Sequence, residues 1–188
     1  MMIALTGSSS TGKTTLSDSL MKEAEFRTHV DSFLTTDARS LLRDMGHTSM
    51  DKMRRDELQW FQRTYLKRKQ EIEAGQRRFL TDRSFVDVAA YWLRRDAMGL
   101  EASEIEPVVN ACREGASKYD LHIYCPFGVF PFKPDGYRSD NVAHHQEIGE
   151  QIAELLKDWG VKFITLDTPD HPDRIARVLE AIRSLAAR

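Results

Sequence analysis

Gly7-Ser8-Ser9-Ser10-Thr11-Gly12-Lys13-Thr14 fits the pattern G-x-x-x-x-G-K-[ST] without a mismatch. Its glycines let the backbone turn tightly, so that successive N–H groups point inward around phosphate oxygens. The apolar run Met1–Leu5 before it reads as a buried strand. After Gly12-Lys13 comes a helical pattern with Leu16, Leu20 and Ala24 on one face. A helix N-terminus placed there offers unpaired N–H groups and its positive dipole end to an anion. Lys13 is then expected to reach the β- and γ-phosphates of a nucleotide, and the Thr14 hydroxyl to bind Mg²⁺. Gly7, Ser8, Ser9, Ser10, Thr11, Gly12 and Thr15 complete the expected cradle.

Outward from this loop, strand-like and helical patterns alternate. Residues 27–31 form a weak second strand candidate, and Thr36–Met45 and Asp51–Ala74 read as helices, the latter with Leu58, Phe61, Tyr65 and Ile72 on one side. Phe79-Leu80-Thr81 reads as a short buried strand ending at Asp82. Val86–Met98 and Ser103–Ser117 look helical, and Leu121–Cys125 is a strand candidate broken by Pro126. His144–Trp159 is helical, Val161–Leu166 extended, and Pro172–Ala187 a final helix. The alternation predicts an α/β fold: a parallel sheet of about five strands with helices on both faces, spanning residues 1–188 as one domain. Ligands of such sheets lie at the carboxyl ends of the strands, where the polar motifs fall.

The bulk properties set limits. A chain of 188 residues suits one domain with a core that needs no disulfide or metal. The formal net charge of −2 gives no general attraction to nucleic acid or anionic membrane. No apolar run is long enough to cross a bilayer, and the start lacks the pattern of a signal peptide. Cys112 and Cys125 form no C-x-x-C. The expectation is a cytoplasmic enzyme.

An Asn-Lys-x-Asp guanine-reading motif is absent, which argues against a GTPase. Asp82 can join the Mg²⁺ shell, but Arg83-Ser84 follows it in place of a water-activating Glu. That ending favours phosphoryl transfer to a bound acceptor over hydrolysis. The Pro/Gly-rich segment 127–141 is then expected to act as a short lid that excludes water, with Lys133, Arg138 and Arg113 as sources of positive charge. Asp31 is a candidate to accept a proton from an acceptor hydroxyl, with Asp82 as the alternative base. Arg39 and Arg83 are candidate acceptor ligands. The basic residues Arg63, Lys67, Arg68, Lys69, Arg77 and Arg78 are read as a solvated helix face, and His144-His145 as a solvated helix start.

At this point the chain resembles a known group: the nicotinamide-riboside-kinase domain of bifunctional NAD-biosynthesis regulators, and the small AAA-type, kinase-like ATPases around it. The likeness rests on Gly7–Thr14; Gln59, Gln62 and Tyr65; Asp82-Arg83-Ser84 with Asp87 and Tyr91; Tyr119-Asp120; Asp135-Gly136-Tyr137-Arg138-Ser139; and Leu166-Asp167-Thr168-Pro169 with Asp173-Arg174. It implies a nucleoside-monophosphate-kinase-like fold, ATP with Mg²⁺, an acceptor pocket between the second strand and the long helices, Arg138 in the lid, and adenine near the loop after the last strand. Thr36 stands where the group's acceptor-side Glu is expected, three residues before Arg39, so the substrate does not carry over; Asp37 or Asp31 is the candidate replacement.

The reading that results is an ATP-dependent P-loop kinase acting on a nucleoside, nucleotide or similar ribosylated small molecule. Lys13, Asp82, Arg138 and Asp31 are its catalytic candidates, and Thr14 and Asp82 its metal ligands. Two alternatives stand beside it: a kinase acting on a base or end within a polynucleotide, and a nucleotide-dependent switch or lipid-binding adaptor with little turnover.

Overall fold

The β-branched and aromatic residues of the short apolar runs pair into one five-stranded sheet in the computed structural model, which describes residues 1–134, 136 and 139–187. The strands are β1 (Met2–Thr6), β2 (Ser32–Thr35), β3 (Phe79–Asp82), β4 (Leu121–Tyr124) and β5 (Phe163–Thr165). All pairings are parallel and the order is β2-β3-β1-β4-β5. The register sets Leu5 beside Asp82 and Ile123, and Thr35 beside Asp82, so the motif-bearing carboxyl ends align along one edge.

The strands are joined by α1 (Lys13–Leu20), α2 (Ala24–Arg27), α3 (Ala38–Asp44), α4 (Arg55–Glu73), α5 (Phe85–Tyr91), α6 (Ala102–Ala116) and α7 (Val142–Asp158), and α8 (His171–Ala186) follows the last strand. Successive β1 side chains alternate between two buried layers. Ile3 and Leu5 pack with Leu16 and Leu20 of α1 and Val178 and Ile182 of α8. Ala4 faces the larger core formed with α4, α5, α6 and α7, where Phe61, Val88, Trp92 and Ile152 are buried. Both faces are therefore covered, as a parallel sheet requires.

Four boundaries differ from expectation. The second strand starts at Ser32 rather than 27, because Asp31 and Ser32 are the first residues whose N–H groups reach the sheet, donating to the Arg78 carbonyl. Ala24 belongs to a separate short helix, since α1 stops at Leu20. The helix expected from Asp51 is a 3₁₀ turn (Met50–Lys52) followed by α4, and Ile72 is exposed on it. The helix expected over Val86–Met98 changes after Tyr91 into a π turn (Trp92–Asp96), in which Ala97 N–H donates to the Trp92 carbonyl. Among the described residues, no helix is long and apolar enough to cross a membrane.

Candidate active site

The loop between β1 and α1 has the backbone its sequence demands. Gly7 and Gly12 have φ of 145° and 78°. A Cβ at Gly7 would stand 2.3 Å from the Cys125 carbonyl oxygen, and one at Gly12 would stand 2.8 Å from Arg174 Nη1 and 2.9 Å from Phe130 Cε2. Gly7 therefore excludes a side chain twice over, by conformation and by a fixed backbone oxygen, and Gly12 excludes one by conformation. Lys13 Nζ donates to the carbonyl oxygens of Gly7 (2.8 Å) and Ser8 and to Thr11 Oγ1 (3.0 Å), so its ammonium sits inside the turn. Burial, reinforced by the nearby Arg83 charge, lowers its pKa to about 8 against the opposing pull of Asp82 and Asp87.

Asp82, at the carboxyl end of β3, lines the same open cavity with Ser10, Lys13, Thr14 and Thr15. Asp82 Oδ1 is buried and has no hydrogen-bond partner among the described residues. An orphaned buried carboxylate oxygen beside the exposed Thr14 hydroxyl is an oxygen donor pair that fits Mg²⁺, which takes one or two protein oxygens and completes its shell with water and phosphate. Among the described residues, no group of three or more His, Cys, Asp or Glu converges as an all-protein metal site.

Arg83 borders this cavity and also a second one, lined among others by Gln62, Tyr65, Asp87, Tyr91, Arg95 and His144. Its φ of 64° is left-handed, an arrangement that costs a non-glycine residue roughly 1 kcal/mol or more. Several contacts hold it there. Lys69 Nζ donates to the Arg83 carbonyl oxygen at 2.6 Å and also to Thr81 Oγ1 and Glu73 Oε1, while Tyr119 Oη donates to Glu73 Oε2. Lys69 is fully buried, and that burial lowers its pKa although Glu73 opposes the shift. The Arg83 guanidinium reaches Gly7 O (3.4 Å) and Asp87 Oδ1 (3.3 Å) and lies 5.1 Å from the Tyr91 ring centroid. Burial works against its charge, but the carboxylates of Asp87 and Asp82 oppose that effect and its pKa is raised.

Asp87 joins the two cavities. Ser84 caps α5 through its Oγ, which accepts from Val86 N–H, and Asp87 Oδ2 accepts from Ser84 N–H (2.8 Å) in return, a capping box. Its other oxygen accepts the N–H of Gly7 at 3.0 Å. A helix cap thus also anchors the first glycine of the phosphate loop. On the far side, Arg174 is buried, donates from Nη2 to the Thr11 carbonyl oxygen (3.1 Å) and Cys125 Sγ (3.0 Å), and lies 5.0 Å from the Phe130 ring.

The structure therefore brings together Gly7–Thr15, Asp82 and Arg83. It does not bring Asp31 to them: Asp31 precedes β2, at the amino end of the sheet, where it is exposed and accepts from Arg78 Nε at 2.8 Å. The expectation that Asp31 is a base or acceptor ligand is corrected on that ground. Asp37 caps α3, accepting from Arg39 N–H and Ser40 N–H. Arg39 is exposed on the first turn of α3, one position after Ala38, which lines the second cavity. Arg138 lies outside the described residues. The start of the expected lid touches the phosphate loop, Lys133 N–H donating to Ser10 Oγ (3.1 Å), while Arg113 is exposed on α6 and lines neither cavity.

Two readings of charge are also corrected. Lys69 is no part of a solvated face, and the neighbouring Arg68 and Arg78 pair with Asp44 and Asp31, while Arg63 lies over Trp92. His145 is buried against Phe132, with ring centroids 4.9 Å apart, rather than solvated. Sequence reading missed Lys69 and Arg95 as site residues and gave Asp87 no role. The Ser84-x-x-Asp87 spacing signalled the cap, but nothing local signalled the others.

The family described as an AAA domain matches residues 2–174. Among solved structures, NadR in complex with NR superposes with a TM-score of 0.66 at 18% identity, over 97% of this chain and 50% of that one. This chain thus spans half the length of that NadR chain. Deoxyadenosine kinase from M. mycoides with bound dATP gives 0.67 at 12% identity, covering 97% of this chain and 100% of that one. Thymidylate kinase from Ehrlichia chaffeensis gives 0.64 at 14%, covering 97% and 98%. These likenesses show the fold to be that of the P-loop nucleoside and nucleotide kinases. No sequence among the curated proteins matches the chain.

Proposed function

The chain belongs to this AAA-domain family, and on that premise we propose that it is an ATP-dependent kinase, moving the γ-phosphoryl group to a nucleoside, nucleotide or similar ribosylated small molecule. The observation that carries the reading is that one side chain, Arg83, borders both the phosphate-loop cavity and the second cavity. An acceptor in the second cavity would therefore meet the terminal phosphate of a nucleotide in the first at a fixed positive charge. The ligands and names of these neighbours (NR, dATP, a thymidylate kinase) support a nucleoside-like acceptor.

In this reading Lys13 and the loop N–H groups hold the β- and γ-phosphates. Thr14 and Asp82 would hold Mg²⁺, which when bound neutralises charge on the phosphate oxygens. Arg83 faces the transferred group, and positioning with charge stabilisation supplies most of the catalysis. Arg138 keeps its proposed place in the lid. The polynucleotide alternative draws no support from Lys67, Arg68 and Lys69 of α4, which pair with Glu71, Asp44 and Glu73.

The test is ADP release from ATP·Mg²⁺ with a panel of nucleosides and their monophosphates, with Lys13→Ala as control. Acceptor-dependent release that disappears in Lys13→Ala is expected. Tight nucleotide binding with no response to any acceptor would replace the kinase with a switch.

A further inference from the structure

We propose, resting on the kinase reading above, that the acceptor's attacking group is itself a phosphate, so that the substrate is a nucleoside monophosphate and not an unphosphorylated nucleoside.

Two observations point the same way. The first is a pair of fixed cations. Arg83 and Arg95 both line the second cavity, and each guanidinium carbon lies 5.1 Å from the Tyr91 ring centroid. The two charges thus stand no farther apart than twice that distance. The π turn after Tyr91 sets the second of them: Arg95 is gripped by Asp96 through Nε and Nη2 and donates from Nη1 to Met50 Sδ. These contacts fix the plane of the guanidinium yet use three of its five N–H groups. Arg83 spends only Nη1, on two long contacts, and its Nε and Nη2 have no partner among the described residues. Planar forks held this way suit the oxygens of a phosphate.

The second observation concerns the carboxylate such a cavity offers. A hydroxyl acceptor needs a group to take its proton, whereas a phosphomonoester is largely a dianion at pH 7 and needs none. Among the described residues lining the second cavity, Asp87 is the one carboxylate, beside the imidazoles of His144 and His145. Asp87 is 1% exposed and already accepts from Gly7 N–H, Ser84 N–H, Ser84 Oγ and Arg83. A carboxylate so occupied is an anchor and not a base. The aromatic wall of Phe61 and Tyr65, stacked at 19°, offers a flat surface to the base of a nucleotide.

The step balances without a proton acceptor. A terminal oxygen of the acceptor phosphate attacks the γ-phosphorus of ATP, forming one P–O bond. The bond from that phosphorus to the β,γ-bridging oxygen breaks, and ADP leaves with the electron pair. The products are ADP and a nucleoside diphosphate.

The experiment pairs each of a set of nucleosides (adenosine, cytidine, guanosine, uridine, their deoxy forms, thymidine and nicotinamide riboside) with its own 5′-monophosphate. ADP release and equilibrium binding are measured for both members. One or more monophosphates should bind and be converted to diphosphates while the matched nucleoside stays silent. Arg95→Gln should raise the KM for that monophosphate by about 10- to 100-fold with ADP affinity unchanged. The wild-type comparison decides even if this variant fails to fold. Phosphorylation of a nucleoside with no response to its monophosphate overturns the proposal and leaves the kinase reading standing. A panel in which nothing binds or releases ADP overturns both.

Discussion

Lys69 Nζ donates to the carbonyl oxygen of Arg83 at 2.6 Å, and Arg83 is one of only two described non-glycine residues with positive φ. A buried ammonium thus pins the backbone of the residue shared by both cavities. Lys69→Met should destabilise the fold by about 3–5 kcal/mol, because Glu73 keeps a buried, unpaired charge. Lys69→Met/Glu73→Gln should recover much of that loss but still turn over at least about tenfold more slowly, with KM for ATP little changed. Thermal melts and steady-state kinetics decide. Full turnover in the double variant would show that Arg83 holds its conformation alone.

Asp87 is asked to satisfy four donors, and an amide can satisfy fewer. Asp87→Asn should lower stability by about 2–3 kcal/mol and weaken ADP binding about tenfold through the freed Gly7 N–H. Denaturant titration and calorimetry of ADP binding read the two effects separately. An unchanged dissociation constant would mean that the loop keeps its shape without the cap.

The lowered pKa of Lys13, about 8 in the free protein, makes nucleotide binding depend on pH. Phosphate favours the ammonium, so above pH 8 binding must take up a proton, and affinity for ADP should fall by up to about tenfold per unit. Below pH 8 the lysine is already charged and contributes no slope. Isotherms at pH 7, 8 and 9 in two buffers of different ionisation heat measure both the slope and the proton uptake. A flat profile with no uptake at pH 9 would place the lysine's pKa well above 8.

His122, buried in β4, has its pKa lowered to about 4 chiefly by burial, against a weak raising contact with the Lys162 carbonyl. The unfolded chain protonates this group near 6.5. Between pH 6.5 and 4 the unfolded state therefore binds more protons, and stability falls on acidification, by about 3 kcal/mol at most across that window. His122→Phe should remove this component. Melting curves of both proteins from pH 7.5 to 4.5 compare the slopes, and parallel slopes would exonerate the histidine.

Gly7–Thr14 was legible because its geometry is local: the glycines, the lysine and the helix start lie within one turn of chain. Asp82 was legible from a strand ending in a carboxylate. Asp31 misled because the weak apolar pattern set the second strand too early, and a shift of a few residues moves a side chain from one end of a sheet to the other. Lys69 was illegible for a different reason. Its five basic neighbours in sequence are solvated or paired at the surface, and only the docking of α4 over β3 distinguishes the one that is enclosed. Arg95 depended on a π turn, whose extra residue per turn breaks the period used to read helix faces.

The central position of β1 has a consequence for how the protein comes to exist. The strand carrying the phosphate loop is translated before both of its neighbours, since its partners are Phe79–Asp82 and Leu121–Tyr124. The loop's first glycine waits on Asp87 for its hydrogen bond and on the Cys125 carbonyl for its confinement. A nascent chain must therefore carry its signature motif unformed until Cys125 has left the ribosome, with an apolar strand in search of partners throughout.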